Sequence, residues 1–193
     1  RWDFVWQRPQ QLLSRLAHQY RVLFVEEPVT DTAIDQPYLE TYPGRTPDAQ
    51  PITVARLHYP STAHDWIGHD DPRTQAAYEQ LLLDYLASEE IHSPILWLYT
   101  PVAAPFVQAI RPQLLIYDVM DELSAFKGAP AELKLADRQL LSQADLVFTG
   151  GASLYRARQP YHPNIHLFPS GVDIDHFARA DRETFAPPID IVH

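Results

Sequence analysis

A chain of 193 residues accommodates one comfortable domain, and at this length roughly 70% of the unfolded surface can be buried without a covalent staple. With 46% hydrophobic and 21% charged residues it has a globular composition, and no apolar run approaches the ~18 residues of a membrane span. Zero cysteines exclude a disulfide scaffold, thiolate catalysis and a Cys-based zinc site, while 15 Lys and Arg against 25 Asp and Glu, a net charge of −10, disfavour nucleic acid as a partner.

In chain order, Pro9 suits the first turn of a helix whose apolar stripe runs through Leu12, Leu13, Leu16, Ala17 and Tyr20. It feeds directly into Val22-Leu-Phe-Val25, a strand-sized apolar run. A helix entering a buried parallel strand normally follows another strand, so an earlier strand is expected ahead of Arg1. Residues Asp31 to Pro51 show no periodicity and several prolines, and are expected to form a long loop. Strands are predicted near 22–26, 52–58, 95–99, 114–118, 146–149 and 165–168. Helices are predicted over Pro72 to Ser88, from Pro101 to Ile110, over Ala131 to Gln143 and over Ala152 to Gln159. Pro187-Pro188 then breaks the chain before Ile189-Asp-Ile-Val192, which reads as the opening of another unit. The only methionine is Met120 and no charged-then-apolar leader opens the sequence, so the chain reads as an interior piece: residues 1–186 one domain, 187–193 the start of the next.

Alternating strands and helices predict an α/β fold of the Rossmann-like, doubly wound kind: one largely parallel sheet, helices on both faces, first strand missing. If a strand ahead of Arg1 is central, as in common doubly wound orders, its neighbours expose unpaired edges in this chain. Such sheets bind ligands at the carboxyl ends of their strands, which here are Glu26-Glu27-Pro28, His58-Tyr59-Pro60, Thr100-Pro101, Asp118 to Glu122, Gly150-Gly151 and Ser170-Gly171.

Three groups carry candidate chemistry. Asp118, Asp121 and Glu122 crowd three carboxylates where a strand becomes a loop; they suit a divalent cation or acid/base work, or, more plainly, a helix cap with Ser124. Gly150 and Gly151 with Ser153 form a strand-to-helix turn open to a ligand's close approach, though not a dinucleotide fingerprint. The stretch His58, His64, Asp65, His69, Asp70 and Asp71 contains metal-ligand types at no helical spacing, and reads more simply as a solvated loop. Trp2, Phe4 and Trp6 read as core or cleft wall. No nucleophile elbow or phosphate-binding loop of the Gly-Lys-Ser/Thr type occurs.

Several stretches together resemble bacterial glycosyltransferases of the GT-B fold, of the family 1 and family 4 type. They are Arg1-Trp-Asp-Phe-Val-Trp-Gln-Arg-Pro-Gln-Gln-Leu12, Tyr117-Asp-Val-Met-Asp-Glu-Leu123, Ala144-Asp-Leu-Val-Phe-Thr149 and Phe168-Pro-Ser-Gly-Val-Asp-Ile-Asp-His-Phe177. The resemblance covers nearly the whole chain. It implies the N-terminal, acceptor-side half of a two-domain transferase acting on envelope or capsular glycans, usually with retention, with no bound metal and no cofactor beyond the nucleotide-sugar donor. It further implies a glycan or lipid-linked acceptor, no nucleic-acid partner, and a cytoplasmic enzyme that associates peripherally with the membrane. Asp121 and Asp118 would then be the catalytic candidates, although Met120 stands where many members have His. Arg8, Glu27, Thr100, Glu122, Gly150, Gly151, Ser153 and Gly171 would contact substrate, with Arg8 meeting a phosphate or the acceptor. Two other readings stand beside this one: a metal-dependent hydrolase or phosphoesterase using Asp118, Asp121 and the His58–Asp71 loop, and a non-catalytic domain that binds a glycan or partner.

Overall fold

The computed structural model describes residues 1–60 and 72–179. It is an α/β fold of two four-stranded sheets, parallel but for one strand, with helices packed against them. In the first sheet β1 (Val22–Val25) and β2 (Val29–Asp31) both lie parallel to β4 (Ile52–Pro60), on which β3 (Tyr38–Gly44) runs antiparallel. The second sheet is wholly parallel, in the order β5 (Ile95–Leu98), β6 (Leu114–Val119), β7 (Leu146–Thr149) and β8 (Ile165–Leu167). The fold class is as expected, and so are the six predicted strands.

Two expectations are corrected. The strands do not share one sheet: among the described residues β1 pairs only with β4 and β5 only with β6, so no strand pairing joins the two sheets. The stretch Asp31 to Pro51 is not a plain loop, since it contains β3 and the end of β2. Pro43 and Gly44 end β3, where a residue without an amide hydrogen and one without a side chain obscure strand periodicity. The expected domain boundary at Pro187-Pro188 and the strand Ile189–Val192 lie outside the described residues.

Each sheet has its own core. Helix α1 (Arg8–Leu16) lays Leu13 on Val22, Ile52 and Val54, with Ala17 and a fully buried Trp2 completing the cluster. Burying Val22, Ile52 and Val54 contributes on the order of 1.5–3 kcal/mol each. Trp2 therefore belongs to the core, as expected, whereas Phe4 is 75% exposed. Helix α2 (Pro72–Ser88) presents Tyr78, whose hydroxyl donates to the carbonyls of Glu26 (2.6 Å) and Ala55 (3.1 Å) and so ties the helix to β1 and β4. In the second sheet Leu115, Tyr117, Val119 and Val147 meet Leu140 and Leu141 of α4 (Ala131–Gln143) and Leu154 and Tyr155 of α5 (Ala152–Arg158). The region Pro101–Ile110 is a short 3₁₀ turn followed by α3 (Phe106–Ile110), and a short α6 (Ile174–Ala178) follows β8.

The start of α1 is set by side-chain hydrogen bonds. The Gln10 side chain accepts from the backbone N–H of Gln7 and donates to the carbonyls of Arg1 and Trp2. The first of these bonds satisfies an N–H at the helix N-terminus, and the other two hold residues 1 and 2 against the turn that Arg8 opens.

Candidate functional site

The carboxyl ends of the second sheet form a row in strand order: Thr100 after β5, Asp118 to Glu122 at β6, Gly150 after β7, and Phe168 to Ser170 after β8. Helix α1 brings Arg8 to this row. Its guanidinium Nε donates to both carboxylate oxygens of Asp118, at 3.1 and 2.9 Å, across 110 residues of sequence. Its Nη1 donates to the carbonyl of Phe168 at 2.7 Å, across 160 residues. Asp118 is completely buried, and the Arg8 side chain is 11% exposed. One guanidinium thus fastens the start of α1 to the ends of β6 and β8. Charge-assisted bonds of this kind are short and strong, and a buried carboxylate without them would be costly.

Beside this pair lies the Tyr99 hydroxyl, buried and without a hydrogen-bond partner among the described residues. Burial, reinforced by the Asp118 charge and opposed by Arg8, raises its pKa far above the ordinary phenol range, so it stays neutral. It is a buried polar group that makes no hydrogen bond among the described residues. The sequence pattern concealed it, because Tyr99 closes an apolar run and reads as core. The Phe168 carbonyl was equally invisible, since a backbone acceptor leaves no trace in side-chain chemistry.

Gly150 sits where the loop after β7 passes the neighbouring strand ends. An added methyl there would stand 3.5 Å from Ser170 Oγ and 3.6 Å from the Met120 carbonyl, so the backbones approach closely without strain. The Gly150 N–H donates to the Val119 carbonyl, and its own carbonyl accepts from Ser170 N–H. Gly151 and Gly171 face open space on the side where a Cβ would lie. Ser153 is exposed in the first turn of α5, whose N-cap is Gly151.

Of the three crowded carboxylates, only Asp118 is buried. Asp121 is exposed on the loop beyond β6. Glu122 turns away into a network of its own: it accepts from Ser124 Oγ at 2.8 Å and pairs with Arg158 Nη1 at 3.0 Å. Arg158 reaches Asp137 at 3.2 Å, and Asp137 accepts from the Tyr117 hydroxyl at 2.5 Å. This network ties the β6 loop to α4 and α5. The expected helix cap by Asp121 and Ser124 is not formed, because Ser124 spends its hydroxyl on Glu122. Glu27 is exposed just past β1, and the Thr100 hydroxyl accepts from Val102 N–H, capping the 3₁₀ turn.

The metal-ligand types do not gather at this site. His58 pairs with Glu40 at 2.9 Å and stacks on Tyr38, across β3 and β4 in the other sheet. His64, Asp65, His69, Asp70 and Asp71 lie outside the described residues. Among the described residues no three His, Cys, Asp or Glu side chains form a group that could hold a metal ion, and no helix there is long and apolar enough to cross a membrane.

In comparisons with known proteins, no family model matches this chain and no curated protein matches it.

Proposed function

We propose that this chain is the acceptor-side domain of a nucleotide-sugar-dependent glycosyltransferase, which transfers a sugar to a glycan or lipid-linked acceptor with retention. The observation that carries this reading is the Arg8 bridge. The three stretches around Arg8, Asp118 and Phe168, which resemble glycosyltransferase segments, lie far apart in sequence, and the guanidinium links all three at the carboxyl ends of parallel strands. That is where α/β sheets bind their ligands.

In this reading the residues divide their labour. Asp118 is a positioning residue: both its oxygens hold Arg8, and it is sealed from solvent. Arg8 spends Nε on Asp118 and Nη1 on the Phe168 carbonyl, and in this reading its remaining donors meet an acceptor hydroxyl or a phosphate oxygen. Asp121 is the exposed carboxylate on the loop beyond β6 and the catalytic candidate. Gly151 and Gly171, open where a Cβ would lie, let the ligand pass close to the backbone, Gly150 lets the strand ends beside it approach one another, and Glu27, Thr100 and Ser153 stand on the rim. Glu122 supports the loop through Arg158. The donor is held by a second domain that the resemblance places beyond Ile189, so residues 1–193 alone are expected to transfer no sugar.

The test is transfer from a panel of radiolabelled nucleotide sugars by the complete encoded polypeptide. Asp121→Asn in that polypeptide should lower turnover at least ten-fold, about 1.4 kcal/mol in barrier, with an unchanged melting temperature. Unchanged kinetics would remove Asp121 from the chemistry. Chelator-sensitive phosphoester hydrolysis in place of transfer would overturn the whole reading.

A further inference from the structure

Arg158 is the last residue of α5 and, at 4% exposure, a buried cation. Side chains on a helix lean toward its N-terminus, and α5 starts just past the end of β7, so the Arg158 stem runs back toward the loop after β6. There Nη1 donates to Glu122 at 3.0 Å, and Nη2 meets both oxygens of Asp137 at 3.2 Å. Behind Asp137 stands Tyr117, whose hydroxyl donates to it at 2.5 Å. Burial, reinforced by Asp137, raises the Tyr117 pKa far above the ordinary phenol range, so this hydroxyl stays protonated and remains a donor.

Stability alone does not call for this arrangement. Arg158 Nε is buried with no partner among the described residues, which is a cost to the fold. Well-packed apolar side chains of the same volume are often as stable as a buried ion network, or more so. What a planar guanidinium supplies, and apolar packing does not, is a fixed direction for each carboxylate it holds.

The direction of Glu122 matters because its neighbour is Asp121. Asp121 is exposed, and its place is set by the residues on either side. Before it, the Val119 carbonyl accepts from Gly150 N–H, and the Met120 backbone lies against Gly150, 3.6 Å from where a Cβ would stand. After it, Glu122 is held three times: its carbonyl accepts from Ala125 N–H at 2.9 Å, one carboxylate oxygen accepts from Ser124 at 2.8 Å, and the other accepts from Arg158. The bonds to Ser124 and Ala125 close within a single turn. Of the three, only the bond to Arg158 refers that turn to the body of the fold, through Asp137 on α4 and Tyr117 on β6.

We propose that Arg158, braced by Asp137 and Tyr117, is the positioning residue that fixes Asp121 at the strand ends, acting through Glu122. The proposal rests on the reading of Asp121 as the catalytic candidate. It goes past that reading by assigning the geometry of the loop to side chains on the face of the sheet opposite Asp118 and Arg8.

The test is a double-mutant cycle in the complete encoded polypeptide, with the nucleotide sugar and acceptor that the transfer panel identifies. Because a reacting group displaced by ~1 Å can lose about 100-fold in rate, Arg158→Met should lower kcat at least ~10-fold while both KM values stay within about two-fold. Arg158→Lys keeps the charge but not the fork, and should fall between this variant and the parent. Added to Asp121→Asn, Arg158→Met should cost less than about two-fold more, because nothing is left for it to position. A double variant whose loss is the product of the single losses, or parental kcat in Arg158→Met, overturns the proposal. Absence of transfer, or parental kcat in Asp121→Asn, is instead a failure of the functional reading. In those cases, or if Arg158→Met does not fold, amide nitrogen relaxation at Asp121 and Glu122 decides between the parent and Arg158→Lys. Order parameters that fall from about 0.85 toward about 0.6 support the proposal, and equal order in the two proteins refutes it.

Discussion

Replacing Asp118 by Asn removes one charge from a pair that the fold has sealed and leaves its shape in place. Removing one partner of a buried ion pair typically costs 3–5 kcal/mol, because the other charge is left uncompensated. Two features of this pair lower the figure. The amide oxygen of Asn still accepts one of the guanidinium bonds, and Arg8 is 11% exposed where Asp118 is not exposed at all, so water reaches the orphaned cation. A loss of about 2–3 kcal/mol is therefore expected, which at roughly 2–4 °C per kcal/mol lowers the melting temperature by about 5–10 °C. Arg8→Met should cost more, because it strands a carboxylate that water does not reach, together with the Phe168 carbonyl. The double variant Arg8→Met/Asp118→Asn should then be more stable than the sum of the single losses implies, by ~1–3 kcal/mol. Urea melts followed by circular dichroism on all four proteins measure this coupling. Strictly additive losses, or an Asp118→Asn protein as stable as the parent, would refute the claim that this pair holds α1 to the second sheet.

Two further outcomes are expected. Gly44→Ala places a methyl 2.7 Å from Trp2 Nε1 and 2.9 Å from Val54 Cγ2, both buried, so Trp2 must shift; overpacking of this kind costs about 1–3 kcal/mol, and a parental melting curve with parental tryptophan fluorescence would contradict it. For Glu122, burial pushes the carboxyl up, but the Ser124 hydrogen bond and Arg158 outweigh it and hold the pKa below the ordinary 4.5. Since the folded pKa is the lower one, its stabilisation is complete above the unfolded value and is lost as pH falls from there through the folded value; the stability difference between parent and Glu122→Gln should shrink between about pH 6 and pH 3, and a constant difference would be the refuting result.

The local elements were legible because their patterning agrees with their burial. The helix Ala131–Gln143 and the helix Pro72–Ser88 have the bounds that their apolar spacing predicts. Leu114 to Asp118 reads as a strand because nearly all of it is buried, which produces the apolar run Leu114 to Tyr117. β3 escaped because, among the described residues, it pairs only with β4 and much of its length is half exposed, so neither a continuous run nor a clean alternation marks it. The division into two sheets was hidden for another reason: hydrophobic pattern reports that a strand is buried, and never which strand lies beside it.

The site was legible in a different measure. The location followed from topology alone, since the strand ends are fixed once the strands are. The roles did not follow. Asp118 and Asp121 look equivalent in sequence, three residues apart, yet one is sealed beneath Arg8 and the other is exposed. Strand alternation puts the side chain of Asp118 on the face opposite Tyr117 and Val119, which pack on α4 and α5. A carboxylate on that inner face needs a cation from elsewhere in the fold, and only the tertiary structure could say that the cation is Arg8, 110 residues away. The same geometry explains why kinetic loss in an Asp118 variant could not by itself identify a catalytic group: its removal also releases Arg8 from the ends of β6 and β8. Asp121, whose charge supports nothing in the fold that the structure describes, is the position at which loss of activity would speak for chemistry alone.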